Sequence, residues 1–392
     1  MRFLLLANIV KIIISFVLVF SGLFLLEIYL WSKDSNDFGC EHCRLDSRLG
    51  WAPIPNRSLS EGHKKYTINS LGFRSKEPDP SKEHILILGD SVAFGLGVND
   101  NETVSHYIQK KVSKYQVLNL SVPGYSIDQY YLHLKNNLVK TNPKFIVSII
   151  SSVDDWTYTI QNNFHGINKP YYFIRNGALA RDNNEISMLS CGNYFNMSLL
   201  FKRLGEYSLP SIFCDQKKHN KYEGKKVIGM LLDKILKLGQ SAGAKVIFVL
   251  SPTMNDFFVT TCGPGTNFSF CESNHKNHPE FFFKNLKLFQ KYLLDQQNKG
   301  AYKSLDSIRK NSSKHSSWAW YLRFKNLFSD YNLKYLDIHG KIMEQNANIF
   351  DMYLEDDNYH YSDEGNKFLA EVVFKQLQIG NDTNISEYKP FR

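Results

Sequence analysis

A short apolar run, Ile85-Leu86-Ile87-Leu88, stops at Gly89-Asp90-Ser91, and near the other end of the chain stands Asp357-Asn358-Tyr359-His360. A serine hydroxyl is a poor nucleophile until an imidazole takes its proton. The imidazole in turn needs a carboxylate to fix its tautomer and to stabilise the imidazolium. Residues three apart on a tight turn or helix start lie side by side, so Asp357 can reach Nδ1 of His360 and leave Nε2 for Ser91. The chemistry these residue types would perform is acyl transfer: attack of Ser91 on an ester carbonyl, with His360 as general base and then general acid. Gly-Asp-Ser alone is a common turn. Here a buried-strand pattern precedes it, and a glycine-rich helix start, Val92-Ala93-Phe94-Gly95-Leu96-Gly97, follows it.

A strand that ends at the nucleophile puts the hydroxyl at the carboxyl edge of a sheet, where open α/β sheets place their chemistry. Apolar runs predict five such strands, at 85–88, 117–120, 145–150, 245–250 and 335–338. Apolar residues three or four apart predict helices at 103–114, 128–139, 225–239, 317–329 and 363–377. This βα alternation argues for a parallel sheet with helices on both faces. Two stretches, 157–224 and 252–315, are too long to be simple connections. Lying after the third and fourth strands, they are expected to wall the site and set substrate choice.

Two further motifs complete the set: Gly124 within Asn119-Leu120-Ser121-Val122-Pro123-Gly124-Tyr125-Ser126, and Ser151-Ser152-Val153-Asp154-Asp155-Trp156. With Gly-Asp-Ser early and Asp-x-x-His late, the chain resembles the SGNH/GDSL hydrolase superfamily in its membrane-anchored, extracytoplasmic bacterial form. The resemblance implies a flavodoxin-like five-stranded sheet in a domain over 81–380. It also implies a triad of Ser91, His360 and Asp357, and an oxyanion hole formed by the N–H groups of Ser91 and Gly124 with the residue at position 154. Where the family has Gly-x-Asn-Asp, this chain carries Asp154, and an ionised carboxylate cannot donate. Asp154 is held protonated by Asp155 and burial, or another donor substitutes, or the site is slow or modified. The activity implied is that of a serine esterase or O-acyltransferase on ester-linked acyl groups, acetyl foremost, of cell-envelope glycans, with no cofactor and no metal. The other class of function is a degenerate domain that binds glycan or organises an envelope assembly, and Asp154 keeps it open.

The remaining features set the compartment. From Ile12 to Trp31 the chain is interrupted only by Ser15, Ser21, Gly22 and Glu27, about the ~20 residues that cross a bilayer as a helix. Residues 1–31 are therefore expected to be a single-pass signal anchor. Arg2 and Lys11 favour a cytoplasmic start, which leaves the catalytic part in the periplasm, and a cleaved signal peptide would lead to the same side. The six cysteines suit an oxidising space. Proximity suggests Cys40–Cys43, Cys191–Cys214 and Cys262–Cys271, among about 15 possible pairings, while Cys40-Glu41-His42-Cys43 could instead be half a zinc site or a redox pair.

Residues 32–80 form a turn-rich arm and 381–392 a tail. With 392 residues, 43% of them hydrophobic, the chain has ample material for a core. A net charge of +9 is spread over scattered lysines without a nucleic-acid module, so nucleic acid is not expected as a partner. The charge better suits anionic glycans, lipid head groups or plain solvent. Clusters such as Tyr171-Tyr172-Phe173, Phe281-Phe282-Phe283 and Trp318-Ala319-Trp320-Tyr321 invite a sugar-stacking reading against one of core packing. Trp156 is the foremost stacking candidate because it adjoins Asp154. The partners expected are an acylated glycan or other small ester and the membrane, with the oligomeric state left open.

Overall fold

Strands buried on both faces read as unbroken apolar runs, and that is how the central sheet is built. The computed structural model describes residues 40, 42–61, 64–164, 167–182, 217–254, 256–257, 317–355, 357 and 359–378, together with 11 and 14–26. Its core strands are β5 (Glu83–Leu88), β6 (Tyr115–Asn119), β7 (Pro143–Ser151), β12 (Lys245–Ser251) and β13 (Tyr335–Asp337). They lie in the order β13-β12-β7-β5-β6, and every pairing is parallel. The chain reverses its direction of travel through the sheet between β5 and β7. That switch point opens a crevice at the carboxyl edge.

Successive side chains of a strand point to opposite faces, so the two layers of core sort by parity. Leu86 and Leu88 join Leu118, Ile146, Ile150, Phe248 and Leu250 on one face. That face is covered by α3 (Ile127–Asn137), α5 (Lys221–Ser241) and α6 (Ser317–Asp330). Ile85 and Ile87 join Val117, Val147, Ile149, Ile247 and Val249 on the other. It is covered by α2 (Val104–Lys111), α7 (Ile338–Glu344) and α9 (Asp363–Gln378). All five strands stand where the apolar runs put them, within two residues at each end, and the helices overlap their predicted spans.

The arm has structure of its own: β1 (Cys43–Asp46) pairs with β2 (Gly50–Pro53), and β3 (Ser58–Glu61) with β4 (Lys64–Thr67). It braces the loops at the carboxyl edge. Trp51 is fully buried and its Nε1 donates to the Pro123 carbonyl at 2.9 Å. The Tyr125 hydroxyl donates back to the Trp51 carbonyl at 2.6 Å. On the other side of the crevice, the Arg74 guanidinium donates to the carbonyls of Phe94 (3.0 Å), Gly95 (2.6 Å), Lys65 (3.1 Å) and Val98 (2.8 Å) and to Asp100 (3.0 Å). Arg74→Met keeps the apolar stem and strips these carbonyls of their donor. Since orphaned buried acceptors cost about 1–3 kcal/mol each, the substitution is expected to lower the unfolding free energy by about 3 kcal/mol or more. An unchanged urea midpoint would show that water replaces the guanidinium without loss.

Of the first insertion, the described part forms two small hairpins, β8 (Asn163–Phe164) with β9 (Ile167–Asn168) and β10 (Tyr172–Arg175) with β11 (Ala178–Arg181). They are pinned to α3 by a fully buried ion pair between Lys169 and Asp128, and Lys169 Nζ also donates to the Tyr158 carbonyl at 3.0 Å. Cys40 and Cys43 are joined as expected. Cys191, Cys214, Cys262, Cys271, Phe281-Phe282-Phe283, most of 252–315 and the 381–392 tail lie outside the described residues. Residues 14–26 are helical, with Phe16 59%, Leu18 68% and Phe24 67% exposed. Among the described residues no helix is long and apolar enough to cross a membrane, and the predicted 12–31 span lies partly outside them.

For Trp156, Tyr172 and Tyr321 the structure decides for core packing over sugar stacking. Trp156 is 1% exposed and packs against Trp320 at 5.8 Å and Phe324 at 5.2 Å between ring centroids. Tyr172 and Tyr321 are likewise buried in the core. Trp156 lies on the inward stripe of its helix, so it seals α6 to the sheet and presents no face to a sugar.

Candidate active site

The nucleophile is set by a turn too tight for any side chain at its first residue. β5 ends at Leu88, and a Cβ on Gly89 would come within 2.3 Å of the Ala93 Cβ and 3.0 Å of the Ile149 carbonyl. Asp90 caps the short helix α1 (Ser91–Phe94), its Oδ1 accepting from the Val92 N–H at 2.9 Å, and the helix stops at Gly95 in the left-handed region, φ +82°. The Ser91 side chain thus leaves the first residue of α1 at the crevice between β5 and β7.

His360 is brought to it by a loop clamped at several points to the end of β12. The Leu354 N–H donates to the His360 carbonyl at 3.0 Å and the Ser362 N–H to the Met352 carbonyl at 2.9 Å. The Tyr353 hydroxyl donates to the Pro252 carbonyl at 2.8 Å, and Tyr361 shares a hydroxyl contact of 2.9 Å with Ser251. So held, the His360 ring lies with Nε2 2.8 Å from Ser91 Oγ. Its Nδ1 is in hydrogen-bond contact with Asp357, whose Oδ1 also accepts from the N–H groups of Tyr359 (2.7 Å) and His360 (3.1 Å). Nδ1–H donating to the carboxylate leaves Nε2 free to accept the Ser91 proton. The structure brings together the three residues that spacing singled out.

Their electrostatics fit a base. Burial alone would lower the His360 imidazolium, but the hydrogen bond and charge of Asp357, with Asp90 and Asp154 adding, hold its pKa above the ordinary histidine value. Burial pushes Asp357 up, while the His360 contact and the two backbone N–H groups bring it net below the usual carboxylate range. Each partner stabilises the charged form of the other.

Gly124 meets the nucleophile turn through the Val122 N–H, which donates to the Gly89 carbonyl at 3.1 Å. Its φ is +77°, and an added Cβ would lie 2.8 Å from the Phe164 ring and 3.2 Å from Trp51. Only glycine fits that backbone in that space. Asp154 opens helix α4 (Asp154–Thr159) directly after β7, near enough for its charge to act on both Asp90 and His360. It joins a cluster of acids. Asp155 is fully buried, its Oδ2 accepting from the Ser151 N–H at 2.7 Å, and burial and Asp90 push its pKa well up.

Spacing named Asp90 only as part of a motif and did not foresee its environment. One oxygen caps α1, the other is buried without a partner, and burial, then the Asp154 charge, push its pKa up to about 7. A raised carboxyl pKa means that the folded state prefers the protonated form. Its contribution to stability is therefore present at acid pH and lost as pH rises from about 4 through about 7. Asp90→Asn keeps the cap and removes the charge, so its melting temperature is expected to exceed that of the parent at about pH 8, with the gap shrinking toward about pH 4. A constant gap would overturn that assignment. Asn119 was also missed: at the end of β6 its Nδ2 donates to the Ala93 carbonyl at 3.0 Å, tying that strand to α1. An amide closing an apolar run was the available signal.

No protein-family model matches the chain, and no curated protein matches it. Among solved structures the chain is similar to the acetyl xylan esterase AlAXEase, at 11% identity and a TM-score of 0.36 over 75% of this chain and 99% of that one. It is similar to the psychrotrophic esterase EstA from Pseudoalteromonas sp., at 12% and 0.35 over 76% and 99%. It is similar also to the lipase/acylhydrolase from Enterococcus faecalis, at 11% and 0.36 over 76% and 96%. The features the chain itself shows are a five-stranded parallel sheet with flanking helices and the contacts among Ser91, His360 and Asp357.

Proposed function

We propose that this chain is a serine hydrolase of ester bonds that works through a covalent acyl-enzyme. Ser91 Oγ attacks the ester carbonyl as His360 Nε2 takes its proton. The same imidazolium then protonates the departing alcohol, and Asp357 holds the ring and its charge throughout. Water activated by the neutral imidazole releases the acid and restores Ser91. The N–H groups of Ser91 and Gly124 receive the oxyanion. The observation that carries this reading is the 2.8 Å approach of His360 Nε2 to Ser91 Oγ, with Asp357 on the far nitrogen.

A fluorophosphonate probe tests it directly. The expected result is a single adduct on Ser91 that disappears in Ser91→Ala and is strongly reduced in His360→Ala. A folded protein that takes up no label would favour the binding-domain reading instead.

The finer reading is that the ester is an acetyl group on an envelope glycan and that a sugar hydroxyl can replace water as acceptor. The resemblance supports it, and product analysis with and without added oligosaccharide decides between hydrolysis and transfer. We infer also that the apolar N-terminal segment sits in a membrane. The exposure of large apolar side chains along 14–26 supports this, since a helix apolar all round needs a nonaqueous surrounding. Retention of the full chain in the membrane fraction after an alkaline carbonate wash is the expected outcome.

A further inference from the structure

Away from the triad, Cys40, His42 and Cys43 stand at the start of the arm, and one ligand atom from each lies within 4.8 Å of the other two. All three are buried, at 1%, 3% and 3% exposure respectively. The Cys43 N–H donates to the Cys40 carbonyl at 2.9 Å, a tight turn that holds both sulfurs together, and they are joined as a disulfide with Cα atoms 5.3 Å apart. The His42 ring is fixed by stacking on Phe94, with centroids 4.7 Å apart and planes at 6°. Its Nε2 is nonetheless buried without a hydrogen-bond partner. Interiors rarely leave a polar atom in that state without a use for it, and the ester chemistry makes no use of this one.

We propose that Cys40, His42 and Cys43 form a redox-gated site for a single thiophilic cation of the Zn²⁺ class. In the oxidised protein the sulfurs are spent on each other. An external dithiol opens the site: the S–S bond takes two electrons and two protons, and the dithiol leaves as its own disulfide. The cation then displaces the two thiol protons and is held by two thiolates and one imidazole nitrogen, with one tetrahedral position left open. Two sulfurs and a nitrogen are a borderline-soft donor set, suited to Zn²⁺ and poorly suited to Mg²⁺ or Ca²⁺. The competing reading is a purely structural disulfide beside a packed histidine.

Co²⁺ is the probe, because thiolate ligation gives it a sulfur-to-metal charge-transfer absorption. The full-length protein is reduced with a phosphine, desalted without oxygen and titrated. The expected result is one equivalent of Co²⁺ with that absorption in the reduced protein, absent from the oxidised protein and from reduced Cys40→Ser/Cys43→Ser. Cys191, Cys214, Cys262 and Cys271 are common to both reduced samples, so the difference isolates this site. His42→Ala, which keeps the cysteine pair intact should the serine pair fail to fold, is expected to weaken binding by about tenfold or more. Equal Co²⁺ uptake by the parent and the serine pair, unchanged affinity in His42→Ala, or reduced protein that binds no Co²⁺ would each overturn the proposal. None of these readouts depends on ester turnover.

Discussion

His360→Ala is expected to lower kcat for an activated acetate ester by roughly a million-fold, close to the effect of Ser91→Ala, because the two act as one unit. Asp357→Asn is expected to cost about 10⁴-fold. It leaves the loop geometry largely in place but takes away the carboxylate that sets the tautomer of Nδ1. The pH profile adds an independent check. Only neutral His360 can accept the Ser91 proton, and its pKa is raised above the ordinary value by Asp357, Asp90 and Asp154 against the lowering effect of burial. Activity should therefore fall as pH drops through a value above about 6.5. In Asp90→Asn, with one supporting charge removed, that limb should move to lower pH. A limb that stays in place in Asp90→Asn would mean that Asp90 is already protonated where His360 titrates. Single substitutions that cost less than about tenfold would remove the relay altogether.

Asp154→Asn is expected to raise kcat by about 100-fold, the scale of one oxyanion donor at about 3 kcal/mol. Asp154 shares its surroundings with Asp90 and Asp155, two carboxyls whose pKa values burial pushes up and to which the Asp154 charge adds in each case. A negative charge there opposes the oxyanion that forms on the ester carbonyl, whereas an amide of the same shape donates to it. Asp154→Ala removes the repulsion and supplies no donor, so its gain should be the smaller. A fall of kcat in Asp154→Asn would show that the carboxyl has been recruited as a proton donor or as a contact to substrate.

The core strands were legible because a strand covered on both faces has few polar positions to confuse the pattern, as in Ile85 to Leu88 or Val246 to Leu250. The triad was legible because Asp357 and His360 report their own pairing through a separation of three, and because Ser91 follows a strand. The arm hairpins were not, since β1 to β4 are four residues each, short enough for turns and strands to look alike. Arg74 was hidden for a different reason. Its value lies in carbonyls of Phe94, Gly95 and Val98, and backbone acceptors leave no mark in a sequence. Trp156 drew the sugar-stacking reading because its neighbour Asp154 belongs to a motif, and its 1% exposure decides for core packing. On a helix, however, two positions along is nearly the opposite face, so a residue near the chemistry in sequence can point into the core.

The contact between His360 and Ser91 joins groups 269 positions apart, and the residues that seat His360 include the last strand neighbours and the start of α9. During synthesis the domain can gather its early strands as they emerge, yet the hydroxyl has no base until the chain has been made through His360. An unfinished or prematurely cut copy is therefore chemically silent even with β5, β6 and β7 assembled.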